Sequence, residues 1–307
     1  MGKIAFVFPG QGSQSVGMGL DVYNNSESAK AVFDKADEVL NRKISTLCFE
    51  GPDEDLKLTT NTQPAILTTS IALLEAFKAV SGITPDYVAG HSLGEYAALY
   101  ESDVLTMADT FRLIQKRADA MSKAQGGSMA AVLALSNEKV QEVLKEVKSG
   151  YVDVANYNCP GQVVITGDEP AIKEAAELLS AAGAKRVLPL AVSGAFHSEK
   201  MRRASEEFAC SLEDVNINDA KIPVITNVDA EPTTTGFKDK MVAQIYSSVY
   251  WTQSVEKMIE LGVDTFVEIG NGKVLAGLIK KISAEVKVYN VYNSETIEEV
   301  SKLVKGE

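Results

Sequence analysis

Apolar residues fall along the chain in two kinds of run. Short, nearly continuous apolar blocks closed by Gly or Pro predict buried strands. They lie at 3–8, stopped by Pro9-Gly10, and at 87–90, 222–226, 265–269 and 287–292. Longer runs with apolar residues three and four apart predict helices over 26–40, 63–80, 95–100 and 106–123. Pro64 is expected in the first turn of the second. Alternation of strand and helix predicts a mainly parallel sheet covered on both faces.

After Gly126-Gly127 the order changes. Strand 129–135, helix 137–148, strand 152–157, a turn at Asn158-Cys159-Pro160-Gly161, strand 162–166, helix 170–182 and strand 185–190 follow in turn. That is β-α-β-β-α-β, the ferredoxin-like order. The expected fold is therefore α/β, with residues 1–125 and 192–307 as one domain and 126–191 as an inserted ferredoxin-like α+β subdomain. The 307 residues are enough for such a plan.

Composition narrows the function. Hydrophobic residues are 45% of the chain, and no apolar run approaches the length of a membrane span. Ile4–Phe8 is too brief for a signal-peptide core, so a cytoplasmic location is expected. Net charge is −12, which argues against general binding to nucleic acid or anionic membrane. Cys48, Cys159 and Cys210 form no C-x-x-C pair, which excludes a disulfide framework and predicts no metal site.

The candidate chemistry starts at Gly90-His91-Ser92-Leu93-Gly94, a G-x-S-x-G between a predicted strand and a predicted helix. That context is a nucleophile elbow, which would hold the Ser92 hydroxyl among free N–H groups at a helix start. A serine needs a base, and the chain has only two histidines. His91 adjoins Ser92 around a sharp turn and should point away, packing beneath the elbow. His197, in Ser193-Gly194-Ala195-Phe196-His197-Ser198, remains. On the 106–123 helix, Met107, Phe111, Ile114, Ala118 and Met121 share one face at about 100° per residue, and Arg117 lies about 60° from its centre.

F-V-F-P-G-Q-G-S-Q at 6–14, T-Q-P-A at 62–65, G-H-S-L-G-E-Y at 90–96, N-x-P-G-Q at 158–162 and G-K-V-L at 272–275 resemble, in order, the malonyl-CoA:acyl-carrier-protein transacylases of fatty-acid synthesis. The resemblance implies a hydrolase-like main domain with the inserted subdomain. It also implies a ping-pong transfer from malonyl-CoA to the phosphopantetheine thiol of holo acyl carrier protein. Ser92 would be the nucleophile, His197 the base, the N–H groups of Gln11 and Leu93 the oxyanion hole, and Arg117 the anchor for the malonyl carboxylate. No bound cofactor is implied, since the coenzyme A thioester is the substrate, and a monomer is expected. Phe196 suits a small acyl group. Lys185-Arg186, Arg202-Arg203 and Lys280-Lys281 are candidates for meeting an acidic carrier.

Two positions depart from that pattern. Tyr250 precedes Trp251-Thr252 where glutamine or arginine is common, near a backbone carbonyl expected to orient the histidine. Asn271 stands where proline is common, with little consequence expected. Three other readings compete. A serine hydrolase shares the elbow and the histidine, but would leave Arg117 without a role. A dinucleotide site would need glycine where Ser15 stands. A catalytically dead docking module is opposed by the intact Ser92, His197 and Arg117.

Overall fold

The computed structural model describes residues 2–124, 126–192 and 194–306. Ser193 of the predicted loop and the boundary residue 125 lie outside them. In chain order the strands are β1 (Lys3–Phe8), β2 (Tyr87–Gly90), β3 (Ser128–Leu133), β4 (Val152–Cys159), β5 (Gln162–Gly167), β6 (Arg186–Pro189), β7 (Val224–Ile225), β8 (Pro232–Thr233), β9 (Val263–Ile269) and β10 (Lys287–Val291). Six form one sheet in the order β10-β9-β1-β2-β7-β8, and the other four form β4-β5-β3-β6. The large sheet is parallel except for β8, which runs antiparallel on the β7 edge. The small one is antiparallel throughout, with the ferredoxin-like order.

Strand β1 explains why the sheet is covered twice. Ala5 to Phe8 are all fully buried. Phe6 and Phe8 face one core, where Phe6 meets Phe77 edge-on, and Ala5 and Val7 face a second core built on Trp251, Val255, Phe266 and Ile279. Each of the larger side chains among them, Phe or Val, contributes about 1.5–3 kcal/mol on leaving water.

The helix Thr59–Ser81 fills the first core, packed on helices Glu27–Leu40 and Met107–Ser122. It begins four residues before the predicted start, so Pro64 lies inside it. The proline lacks the N–H that would bond the Thr60 carbonyl. The Gln115 side-chain amide donates to that carbonyl instead, at 3.3 Å. This helix also revises the expectation that no long apolar run exists. Its Thr, Gln and Ser carry no charge, and a window of it reaches a mean hydropathy of 1.3, enough by length and composition to cross a membrane. Here 78% of that window is buried inside the fold.

Other differences are local. Helices Leu20–Asn25, Ile44–Glu50 and Asp53–Leu56 are too short for a periodic signal. The predicted strand 222–226 shrinks to two residues. Strand β4 runs two residues beyond its predicted end, where Cys159 pairs with Gln162 of β5 across the turn, and its outer edge is covered further back. Val249 N–H donates to the Ala155 carbonyl at 2.8 Å, and Tyr157 N–H to the Val249 carbonyl at 3.0 Å. The segment 248–252 thus stitches the small sheet to the large one.

Candidate active site

Loops at the carboxyl ends of β1 and β2 meet at one cavity, and Asn227, just after β7, bonds the Ser92 N–H beside it, as expected for a parallel α/β sheet. After β2 the chain makes a short 3₁₀ turn, Ser92–Gly94, into helix Glu95–Glu101. Ser92 has φ 53°, in the left-handed region. The flanking glycines are required by close approach. A Cβ on Gly90 would lie 1.9 Å from the Gly94 carbonyl carbon, and one on Gly94 2.2 Å from the Phe8 oxygen.

His197 also has a left-handed backbone, φ 56°. Its Nε2 is 2.7 Å from Ser92 Oγ. Its Nδ1 lies 3.0 Å from the Gln244 carbonyl and 3.2 Å from that of Ser247. Carbonyls only accept, so Nδ1 carries the proton and Nε2 is bare toward the serine hydroxyl. The orienting carbonyls therefore lie three and six residues before Tyr250, where helix Phe237–Tyr246 ends. Ser247 falls near the expected position and Gln244 one helical turn further upstream, and the partners are carbonyls rather than a third acidic residue. Burial, with the charge of Arg117 and the nearby His91, lowers the His197 pKa to about 3.

His91 turns away from His197, as the sharp turn requires. Its Nε2 sits 2.9 Å from Asn158 Oδ1 and its ring packs 5.7 Å from Trp251.

Arg117 is 1% exposed, on the inner face of helix Met107–Ser122. Its Nη2 donates to Ser92 Oγ and to Gln244 Oε1, each at 3.0 Å, and its Nη1 donates to Gln63 Oε1 at 2.6 Å. All three acceptors are uncharged. Burial lowers its pKa, opposed by Tyr96 and Glu95. Burying a charge this completely is costly without an anion beside it. Glu95 does not supply one in contact: it too is buried, and desolvation raises its pKa to about 7.

A cavity of about 110 Å³ opens over this cluster. Gln11, Ser92, Leu93, Arg117 and His197 all line it, with Phe196 closing one side. The predicted residues are thus brought together. Three more were not foreseen. Gln63 and Gln244 hold Arg117, and Asn227 holds the elbow. Gln63 stood in the T-Q-P-A motif, but Gln244 and Asn227 lie in stretches with no pattern to mark them.

The acyl transferase domain model matches residues 5–298. The chain belongs to the acyl transferase family. Within that family a malonyl CoA-acyl carrier protein transacylase of Bacillus subtilis is 48% identical over 314 residues, covering 100% of this chain and 99% of its own. A crystal structure of malonyl CoA-acyl carrier protein transacylase from Clostridium perfringens superposes with a TM-score of 0.95 at 37% identity, over 99% of this chain and 98% of that one. A type II PKS acyl-carrier protein in complex with its malonyl-transacylase gives 0.95 at 36%, over 99% and 100%. Among acyl transferases this one falls with the malonyl-CoA:acyl-carrier-protein transacylases.

Both departures from the family pattern now have a physical account. Tyr250 stacks on Tyr157 at 5.3 Å with rings 6° from parallel, in the seam between the sheets. Asn271 does more than tolerate a turn. Its Nδ2 donates to the Ser13 carbonyl at 2.6 Å and to Ser15 Oγ at 2.9 Å. Proline could donate neither bond, so in this acyl transferase the side chain braces the loop that carries Gln11. Of the basic pairs, Arg202 is taken up by Glu199 and by the Tyr246 ring. Arg186 and Gln162 both flank Leu133 of β3, and Lys281 donates to Gln162, which puts two pairs at one end of the small sheet.

Proposed function

We propose that this chain moves a malonyl group from malonyl-CoA to the phosphopantetheine thiol of holo acyl carrier protein, through a malonyl-Ser92 intermediate, in supply of fatty-acid elongation. One observation carries the reading. A single oxygen, Ser92 Oγ, lies between a bare imidazole nitrogen and a buried guanidinium whose partners are all uncharged. A base beside the hydroxyl gives acyl transfer, and a cation beside the acyl site selects an acid-bearing acyl group.

His197 Nε2 takes the Ser92 proton as Oγ bonds the thioester carbon. The N–H groups of Gln11 and Leu93 receive the developing oxyanion, each such donor being worth on the order of 10²–10³ in rate. The C–S bond breaks and His197 returns the proton to the coenzyme A sulfur. The carrier's thiol then gives its proton to His197, its sulfur attacks the malonyl ester, and Ser92 Oγ leaves and is reprotonated. Arg117 would exchange neutral partners for the malonyl carboxylate in a planar two-bond contact.

The test follows label from malonyl-CoA. Recovery on holo carrier protein, together with a mass increase on Ser92, is expected. Recovery as free malonate would make the chain a hydrolase. The same assay, with Lys185, Arg186, Lys280 and Lys281 reversed in charge, tests carrier docking at that end of the small sheet. An unchanged KM for carrier would remove those residues from the interface.

The low His197 pKa makes a further prediction. Its folded value lies below the ordinary 6.5, so the imidazole stays neutral and competent as pH falls through that value. The acid limb of kcat/KM for malonyl-CoA is expected below pH 6.5, and a limb at the ordinary histidine value would contradict this.

A further inference from the structure

Ser92 holds a left-handed backbone that costs a non-glycine residue about 1–2 kcal/mol. Side chains grip it from both sides. Its N–H donates to Asn227 Oδ1 at 2.7 Å, and its carbonyl accepts from Gln244 Nε2 at 3.0 Å. Asn227 reaches further, because its Nδ2 donates to the Gly90 carbonyl at 2.6 Å. One side-chain amide therefore bridges both ends of the turn that presents the hydroxyl.

Asn227 is itself immobilised. It is 0% exposed at the carboxyl end of β7. Its N–H donates to Glu95 Oε2 at 2.6 Å, and its carbonyl accepts from Tyr250 N–H at 3.0 Å. Every polar group of this residue is spent on the turn, the helix after it or the segment leading to Trp251. The bridge needs one donor and one acceptor on a short planar group. Aspartate offers only acceptors when ionised, and alanine neither.

We propose that Asn227 is a positioning residue for the nucleophile, clamping Gly90 to Ser92 so that Ser92 Oγ stays within reach of His197 Nε2. It also occupies the Ser92 N–H, which leaves Leu93 as the elbow's donor to the acyl oxygen. The proposal rests on the reading of Ser92 as the nucleophile.

Asn227→Ala and Asn227→Ser test it. The single-turnover rate of Ser92 malonylation at saturating malonyl-CoA is followed by intact-protein mass, alongside KM for malonyl-CoA and thermal melting. The rate is expected to fall on the order of 10²-fold in the alanine variant, and less in the serine variant, whose hydroxyl can restore one bond. KM should stay within about twofold, because Arg117 and the acyl cavity are untouched. Equal rates in parent and folded variants overturn the role of Asn227 alone. A loss of kcat/KM that lies entirely in KM, with the saturating rate unchanged, overturns it too, and failure of both variants to fold reduces Asn227 to a purely structural residue. No malonylation of the parent overturns instead the assignment of Ser92.

Discussion

Ser92→Ala and His197→Ala are each expected to lower malonyl transfer by about 10⁴-fold or more, and the double variant to lose little beyond the worse single one. As the nucleophile and base proposed above, the two side chains would act as one unit through their 2.7 Å contact, so removing either would leave only the proposed oxyanion donors and binding. The mass increase should vanish in Ser92→Ala. In His197→Ala it should appear slowly, since the hydroxyl is still presented. Full additivity of the two losses would show that the residues act in separate steps.

Arg117→Ala is expected to lower kcat/KM for malonyl-CoA by about 10²–10³-fold, the scale of a buried charge pair with one partner removed. Activity on acetyl-CoA should fall far less, so that the preference for malonyl over acetyl collapses. Two effects favour the neutral substrate. The cost of keeping an unpaired cation in the cavity disappears, and so does the charge that lowers the basicity of His197. Steady-state kinetics with both thioesters decide the matter. An unchanged malonyl preference would sink the assignment of Arg117.

What could be read in the sequence follows sequence distance. The elbow was visible because its requirements are local: two glycines that admit close approach, one strand before and one turn after. Arg117 is singled out by the family resemblance, with its place at the edge of an amphipathic face only in support, and His197 by there being just two histidines. The supporting amides were hidden. Asn227 and Gln244 meet Ser92 across 135 and 152 residues of chain, and a lone Asn or Gln carries no periodicity. The same limit explains the histidine's partner. A backbone carbonyl has no side-chain signature, so the resemblance could point only to the neighbourhood, where Ser247 falls, with Gln244 one helical turn further upstream. The early start of the Thr59–Ser81 helix was masked by Pro64, whose missing bond is made good from another helix.

Gln244 touches the serine backbone, the arginine and the histidine at once, with its Nε2, Oε1 and carbonyl respectively. Engineering this enzyme toward other acyl groups is constrained by that sharing. A designer who replaces Arg117 removes a donor from the Gln244 amide, and an amide free to rotate releases the Ser92 carbonyl. With Arg117 as the acyl anchor proposed above, acyl range and catalytic rate are not independent dials. A variant library that changes residue 117 should vary residue 244 with it, keeping a side chain that still reaches the serine.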